Sequence, residues 1–131
     1  MTDLPAGYRP SPEEEYMNPR QVEYFRRKLV AMRQHLLEEL AANPPAGADT
    51  SARQGDRTDQ ASAETERELG ALNRERAQAL VHQVDLALAR IENGSYGYCE
   101  DTGNPIGLKR LEAHPTAILS REAQERRERR R

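Results

Sequence analysis

Residues 22–45, VEYFRRKLVAMRQHLLEELAANPP, decide the fold. Val22, Phe25, Leu29, Met32, Leu36 and Leu40 recur at alternating steps of three and four, the spacing that lines one face of an α-helix. Just upstream, Asn18-Pro19 supplies an N-cap followed by proline at the first helical position. Asn43-Pro44-Pro45 closes the helix, because the first proline disfavours the α conformation at Asn43 and neither proline can donate an amide to the preceding turn.

A second stripe runs through Leu69, Leu72, Arg76, Leu80, Val84, Leu88 and Ile91, with Asp59 or Ser62 available as its cap and Asn93-Gly94 as a left-handed stop. Between the two, Pro44 to about Asp59 is rich in Pro, Ala, Gly, Ser, Thr and Asp and holds no large apolar residue, so it reads as a connector. Neither stripe can be buried alone. A short polar connector between two such helices predicts an antiparallel hairpin packed as a coiled coil. Composition agrees: of 131 residues, 36% are hydrophobic, 5% aromatic with no Trp, and 32% charged, which favours an elongated, mainly α form over a large round core.

The flanks differ from the hairpin. Residues 1–10, with Pro5, Gly7 and Pro10, read as a flexible arm, and Ser11-Pro12-Glu13-Glu14 has the pattern of a capping box opening a short helix. Residues 94–115 interleave glycine and proline with Tyr96, Tyr98, Ile106, Leu108 and Leu111, the mark of a small turn-rich module. Ser120 to Arg131 predicts a terminal helix, basic at its end. The expected organisation is therefore an arm and short helix over 1–17, a coiled-coil hairpin over 18–93 with its tip loop at about 44–60, and a small module with a C-terminal helix over 94–131.

Charge and motif content exclude several classes. A net charge of −2 offers no basic footprint for sequence-independent DNA binding, and no DNA-reading motif is present. No apolar run approaches a membrane span, and Met1-Thr2-Asp3-Leu4-Pro5 lacks the pattern of a signal peptide, so a soluble cytoplasmic protein is expected. The single cysteine, Cys99, leaves no internal disulfide and no zinc site built on paired CxxC. Nothing in the sequence marks it as a low-pKa thiolate. No nucleophile with a base, metalloprotease helix motif or phosphate loop occurs, so an enzyme with its own active site is not expected.

Two stretches concentrate the remaining chemistry. Asp56 and Asp59 lie where connector becomes helix; Asp59 can cap that helix, and both carboxylates can also act as an exposed probe at the end of a hairpin. Arg74, Arg76, Arg90, Lys109, Arg110 and His114 could gather beside the module to receive an anion, or form a solvated face.

Tyr96-Gly97-Tyr98-Cys99, Ile106 to Ala113 and Pro115-Thr116-Ala117 resemble the signature of the DksA/TraR family of transcription regulators, and Glu15 to Asn18, Phe25-Arg26-Arg27 and Asn73 to Arg76 extend the likeness over about residues 11–125. The resemblance implies a monomeric regulator of bacterial RNA polymerase. Its coiled coil enters the polymerase secondary channel, its small module grips the channel rim, and it alters promoter open-complex stability in the stringent response. Asp56, Asp59 and Ala61 match the family's tip motif Asp-x-x-Asp-x-Ala. A transcript-cleavage factor of the Gre type, and a hairpin adaptor unrelated to transcription, are the alternatives.

Departures from the family pattern are specific. Its four zinc-binding cysteines correspond to Cys99, Thr102, Ser120 and Ala123, so spacing survives while the ligands do not, and zinc is not expected. The module must then hold by packing, with Tyr98, Ile106, Leu108, Leu111, Ile118 and Leu119 as candidate core. Guanosine tetraphosphate is the co-regulator the resemblance brings. Arg76 and His114 are the candidate rim or alarmone contacts, but Gln83, His114 and Gln124 stand where the family has cations, which weakens the hold on a phosphate-rich ligand.

Overall fold

The computed structural model describes residues 2–44 and 57–130, with side chains in the second stretch from residue 62 onward. It contains four helices, α1 (Pro19–Ala42), α2 (Arg57–Asn93), α3 (Leu108–Ala113) and α4 (Arg121–Arg129). The described residues form no strand, only an isolated antiparallel bridge between Tyr98 and Pro105. None of these helices is long and apolar enough to cross a membrane. The chain divides into two compact units, residues 33–82 and residues 1–32 with 83–131.

The entry to α1 follows the sequence closely. The Asn18 side-chain oxygen accepts the amides of Arg20 (2.9 Å) and Gln21 (3.1 Å), so two of the four donors left free at a helix start are satisfied, and Pro19 occupies a position that needs no donor. The short helix expected from Ser11 does not form. Its capping box does: Glu14 accepts the Ser11 amide at 3.0 Å while the Ser11 hydroxyl accepts that of Glu13 at 3.2 Å. Propagation stops there, because Pro19 resists an α conformation at Asn18 and Met17 takes a left-handed φ of 53°.

α2 starts at Arg57, two residues before the earlier of its expected caps, so Asp59 sits in the first helical turn. In the unit of residues 33–82, Leu36 and Ala77 are buried, and Leu40 shares a small hollow with Ala77. Just beyond the end of α1, the Pro44 carbonyl accepts a hydrogen bond from the Arg74 guanidinium at 3.3 Å. As α1 advances its partners on α2 recede, so the two segments run antiparallel. The expected stripe fails here: Leu69 and Leu72 are 56% and 61% exposed, and Arg76 is exposed too. The inward face passes through Ala77, one position along, which is 3% exposed.

The other unit holds the principal core. Phe25 and Leu29 of α1 and Val84 and Ala87 of α2 are buried with Tyr96, Cys99, Ile106, Leu111, Leu119 and Ala123. Of the expected module core, Ile106, Leu111 and Leu119 are buried, whereas Tyr98, Leu108 and Ile118 are half-buried. Phe25 meets Tyr24 edge-on at 5.1 Å between ring centroids and tilts against Tyr96 at 5.9 Å. Such contacts add to area burial in a chain this poor in aromatics.

Candidate functional site

Two loops bring together Cys99, Thr102, Ser120 and Ala123, the four positions expected to correspond to zinc-binding cysteines. After α2, Cys99 donates its amide to Asn104 O (2.7 Å) and accepts that of Gly103 (2.8 Å), closing a tight turn around Thr102. Glu100 then donates to Ile118 O at 2.8 Å, which draws in the second loop. Ser120 caps α4, its hydroxyl accepting the Ala123 amide at 3.2 Å. The hydroxyl and amide groups of Thr102 and Ser120 surround Cys99.

This arrangement does not fit zinc. A tetrahedral zinc site takes four thiolate, imidazole or carboxylate donors, and these positions supply one thiol, two hydroxyls and a methyl group. Both hydroxyls already accept backbone amides, Thr102 from Asn104 at 3.2 Å and Ser120 from Ala123. Among the described residues no group of three or more His, Cys, Asp or Glu side chains stands together as metal ligands would. Hydrogen bonds serve the sulfur instead. Burial pushes the Cys99 thiol up, but the hydroxyls and amides of Thr102 and Ser120 outweigh it and bring its pKa down to about 6. The sequence carried no sign of this low-pKa thiol, since its donors lie three and twenty-one positions away.

Ion pairs brace the same module. Arg127 of α4 donates to Asp101 at 2.9 Å, and that guanidinium, with Arg126 and Arg130 nearby, holds the Asp101 carboxyl below its ordinary range. Lys28 of α1 reaches the Glu112 carboxylate at 2.7 Å and the Glu112 carbonyl at 2.9 Å, while the Tyr24 hydroxyl donates to the same carboxylate at 3.0 Å. Burial pushes Glu112 up, and the bonds from Lys28 and Tyr24 more than offset it.

Two of the cations expected to gather for an anion have other work. Arg90 donates to the carbonyls of Ser95 (3.1 Å) and Tyr98 (2.6 Å), and Arg110 to that of Leu119 (2.9 Å), so both hold loops of the module. Arg74 and Arg76 belong to the unit of residues 33–82, where they line a hollow of about 160 Å³ with Glu39, Asn43 and Asn73. Lys109 and His114 are exposed in the other unit, His114 ending α3 with its amide on Arg110 O. Gln83 is exposed and Gln124 half-buried. Of the tip motif, Asp56 lies outside the described residues; Asp59 and Ala61 belong to the start of α2, with their side chains outside the described set.

Sequence reasoning missed Tyr16 and Tyr96. The Tyr16 hydroxyl donates to Gly97 O at 2.7 Å and accepts the Gly107 amide at 2.9 Å. Tyr96 donates to Pro115 O at 2.7 Å in a fully buried bond. Both tyrosines are half of a pair whose other half lies far along the chain, so periodicity carries no trace of them.

Two family models match in order along the chain, "DnaK suppressor protein DksA, N-terminal domain" over residues 21–91 and "Prokaryotic dksA/traR C4-type zinc finger" over 94–129. A protein of Caulobacter vibrioides named RNA polymerase-binding transcription factor DksA is 50% identical over 125 residues, covering 95% of this chain and 88% of its own length. The protein of that name from Escherichia coli K12 is 40% identical over 112 residues, 86% of this chain and 74% of its own. Among solved structures, transcription factor DksA2 from Pseudomonas aeruginosa matches with a TM-score of 0.76 and 37% identity, over 90% of this chain and 92% of that one.

Proposed function

The chain belongs to the DksA/TraR family, and on that premise we propose that it is a regulator of transcription that binds bacterial RNA polymerase in the cytoplasm through the secondary channel. The observation that carries this reading is the collinear match of both family models together with 50% identity across 95% of the chain to a protein named for polymerase binding. In this reading residues 18–93 carry the acidic tip, with Asp56, Asp59 and Ala61 toward the polymerase active centre, and residues 94–131 grip the channel rim. The protein modulates open-complex stability and performs no chemistry of its own. It acts as a monomer on polymerase and reads no DNA sequence.

Zinc takes no part in this mechanism. The chemistry of the donor set supports that reading: one thiol, with both neighbouring hydroxyls engaged by backbone amides. Guanosine tetraphosphate acts weakly through this chain. Arg76 and His114 remain as contacts, but neutral Gln83 and Gln124 replace the cations that would hold its phosphates, and Arg90 and Arg110 are engaged by loop carbonyls.

Purified protein added to polymerase on a ribosomal RNA promoter should shorten the open-complex lifetime, and Asp59→Asn should abolish that effect while binding to polymerase core persists. Wild-type activity in the variant would refute the tip mechanism, and absence of binding by the parent protein would refute the partner. RNA cleavage in backtracked complexes would favour a factor of the Gre type instead.

A further inference from the structure

Residues 2–17 are an arm without a fully buried residue, yet its end reaches the centre of the turn-rich module. Tyr16 bridges two segments there. Its hydroxyl donates to the carbonyl of Gly97, in the loop after α2, and accepts the amide of Gly107, where α3 begins. The Gly97 carbonyl also accepts Ile106 N at 2.8 Å, so the phenol completes its second lone pair. The ring stands edge-on to Tyr98 at 5.6 Å.

Met17 adds a steric lock. A Cβ placed on Gly97, whose φ is +91°, would lie 2.7 Å from Met17 Cγ, 2.8 Å from its sulfur and 3.4 Å from the Tyr16 hydroxyl, so a side chain there strains the loop and forces Met17 to shift. Met17 itself holds a left-handed conformation that a side chain adopts only when its surroundings enforce it. In that conformation the Met17 amide donates to Gln21 Oε1 at 2.8 Å. Gln21 is completely buried and reaches back to Ser11 O and Glu14, each at 3.3 Å, while Tyr8 donates to Glu14 at 2.9 Å. The arm is thus fastened by a polar relay rather than by apolar burial. Such segments open at lower free energy than a packed core.

We propose that the N-terminal arm is a displaceable clasp, in which Tyr16 and Met17 hold the Gly97 loop against the start of α3, so that order in the module depends on the arm being seated. Whatever draws the arm away loosens the module, and whatever distorts the module at Gly97 releases the arm. This reciprocity is required of any two coupled elements.

Amide hydrogen exchange on the full chain tests it. Tyr16→Phe keeps the ring and removes both hydrogen bonds, and should speed exchange at Ile106 and Gly107 by roughly tenfold or more. Exchange in the middle of α1 and α2 should not move. Gly97→Ala keeps the Tyr16 hydroxyl but displaces the Met17 side chain and strains the positive-φ backbone that Tyr16 bonds, and should speed exchange at residues 14–18. Unchanged exchange at Gly107 in the first variant, or in the arm in the second, would overturn the clasp. A uniform acceleration over the whole chain in both would overturn it too, since that signals global destabilisation. If Tyr16→Phe does not fold, the arm amides in Gly97→Ala decide the question alone.

Discussion

Replacing Tyr96 by Phe removes one oxygen from a fully buried polar contact. The hydroxyl, on a residue 3% exposed, donates to Pro115 O over 2.7 Å and ties the end of α2 to the chain beyond α3. Phenylalanine keeps the ring against Phe25, so apolar packing is conserved and no side-chain-sized cavity forms. What changes is that the carbonyl of buried Pro115 loses its partner. That loss is worth about 1–3 kcal/mol, against a total of about 5–15 kcal/mol for a domain. For a chain of this size the melting temperature should fall by roughly 3–10 °C. Urea unfolding followed by far-UV circular dichroism should show a lower midpoint with an unchanged slope, because the area exposed on unfolding is the same. A midpoint indistinguishable from that of the parent would refute the reasoning, since it would mean that the carbonyl is solvated or finds another donor.

Glu23 and Cys99 lead to pH-dependent predictions of opposite range. Glu23 is held by Arg26 and Arg27 at 2.7 and 2.6 Å, and the hydrogen bond from Arg26 leads in lowering its carboxyl from 4.5 to about 2. Its stabilisation is therefore complete above pH 4.5 and is lost as pH falls toward about 2. Because both arginines are partly exposed, Glu23→Gln should cost only about 1–2 kcal/mol at neutral pH, and it should flatten the acid limb of a stability–pH curve. An unaltered acid limb would rule out the triad as its source. Lowering of the Cys99 thiol from 9.0 to about 6 stabilises the fold fully above pH 9, and that contribution disappears as pH falls through 6. Alkylation of Cys99 should accelerate with a midpoint near pH 6, and Thr102→Val should move that midpoint upward. Equal midpoints in parent and variant would show that Thr102 does not support the thiolate.

Local chemistry accounts for what could be read early. Asn18-Pro19 announces α1 because capping is a transaction within three residues, and Phe25, Leu29 and Leu36 mark its buried face because apolar spacing tracks the helical turn. Ser120 is legible as the start of α4 for the same reason. The capping box at Ser11 shows the limit of such signals: its hydrogen bonds form, but the stretch from Pro12 to Met17, before Asn18-Pro19, is too short to repay helix nucleation. Leu69 and Leu72 mislead because residue hydrophobicity does not by itself report which face of α2 turns inward, and it is Ala77 that is buried.

The sequence alone determined the two long helices, the family and the presence of a single cysteine in a stretch that matches a C4-type zinc finger, each of which is written in neighbouring residues or fixed spacings. The tertiary structure decided which groups work as partners: Thr102 and Ser120 around the Cys99 sulfur, Arg90 and Arg110 on loop carbonyls, and Tyr16 between Gly97 and Gly107. Those pairings depend on directions and distances between residues remote in the chain. A buried polar group must find a partner wherever the fold places one, and only the folded backbone says where that is.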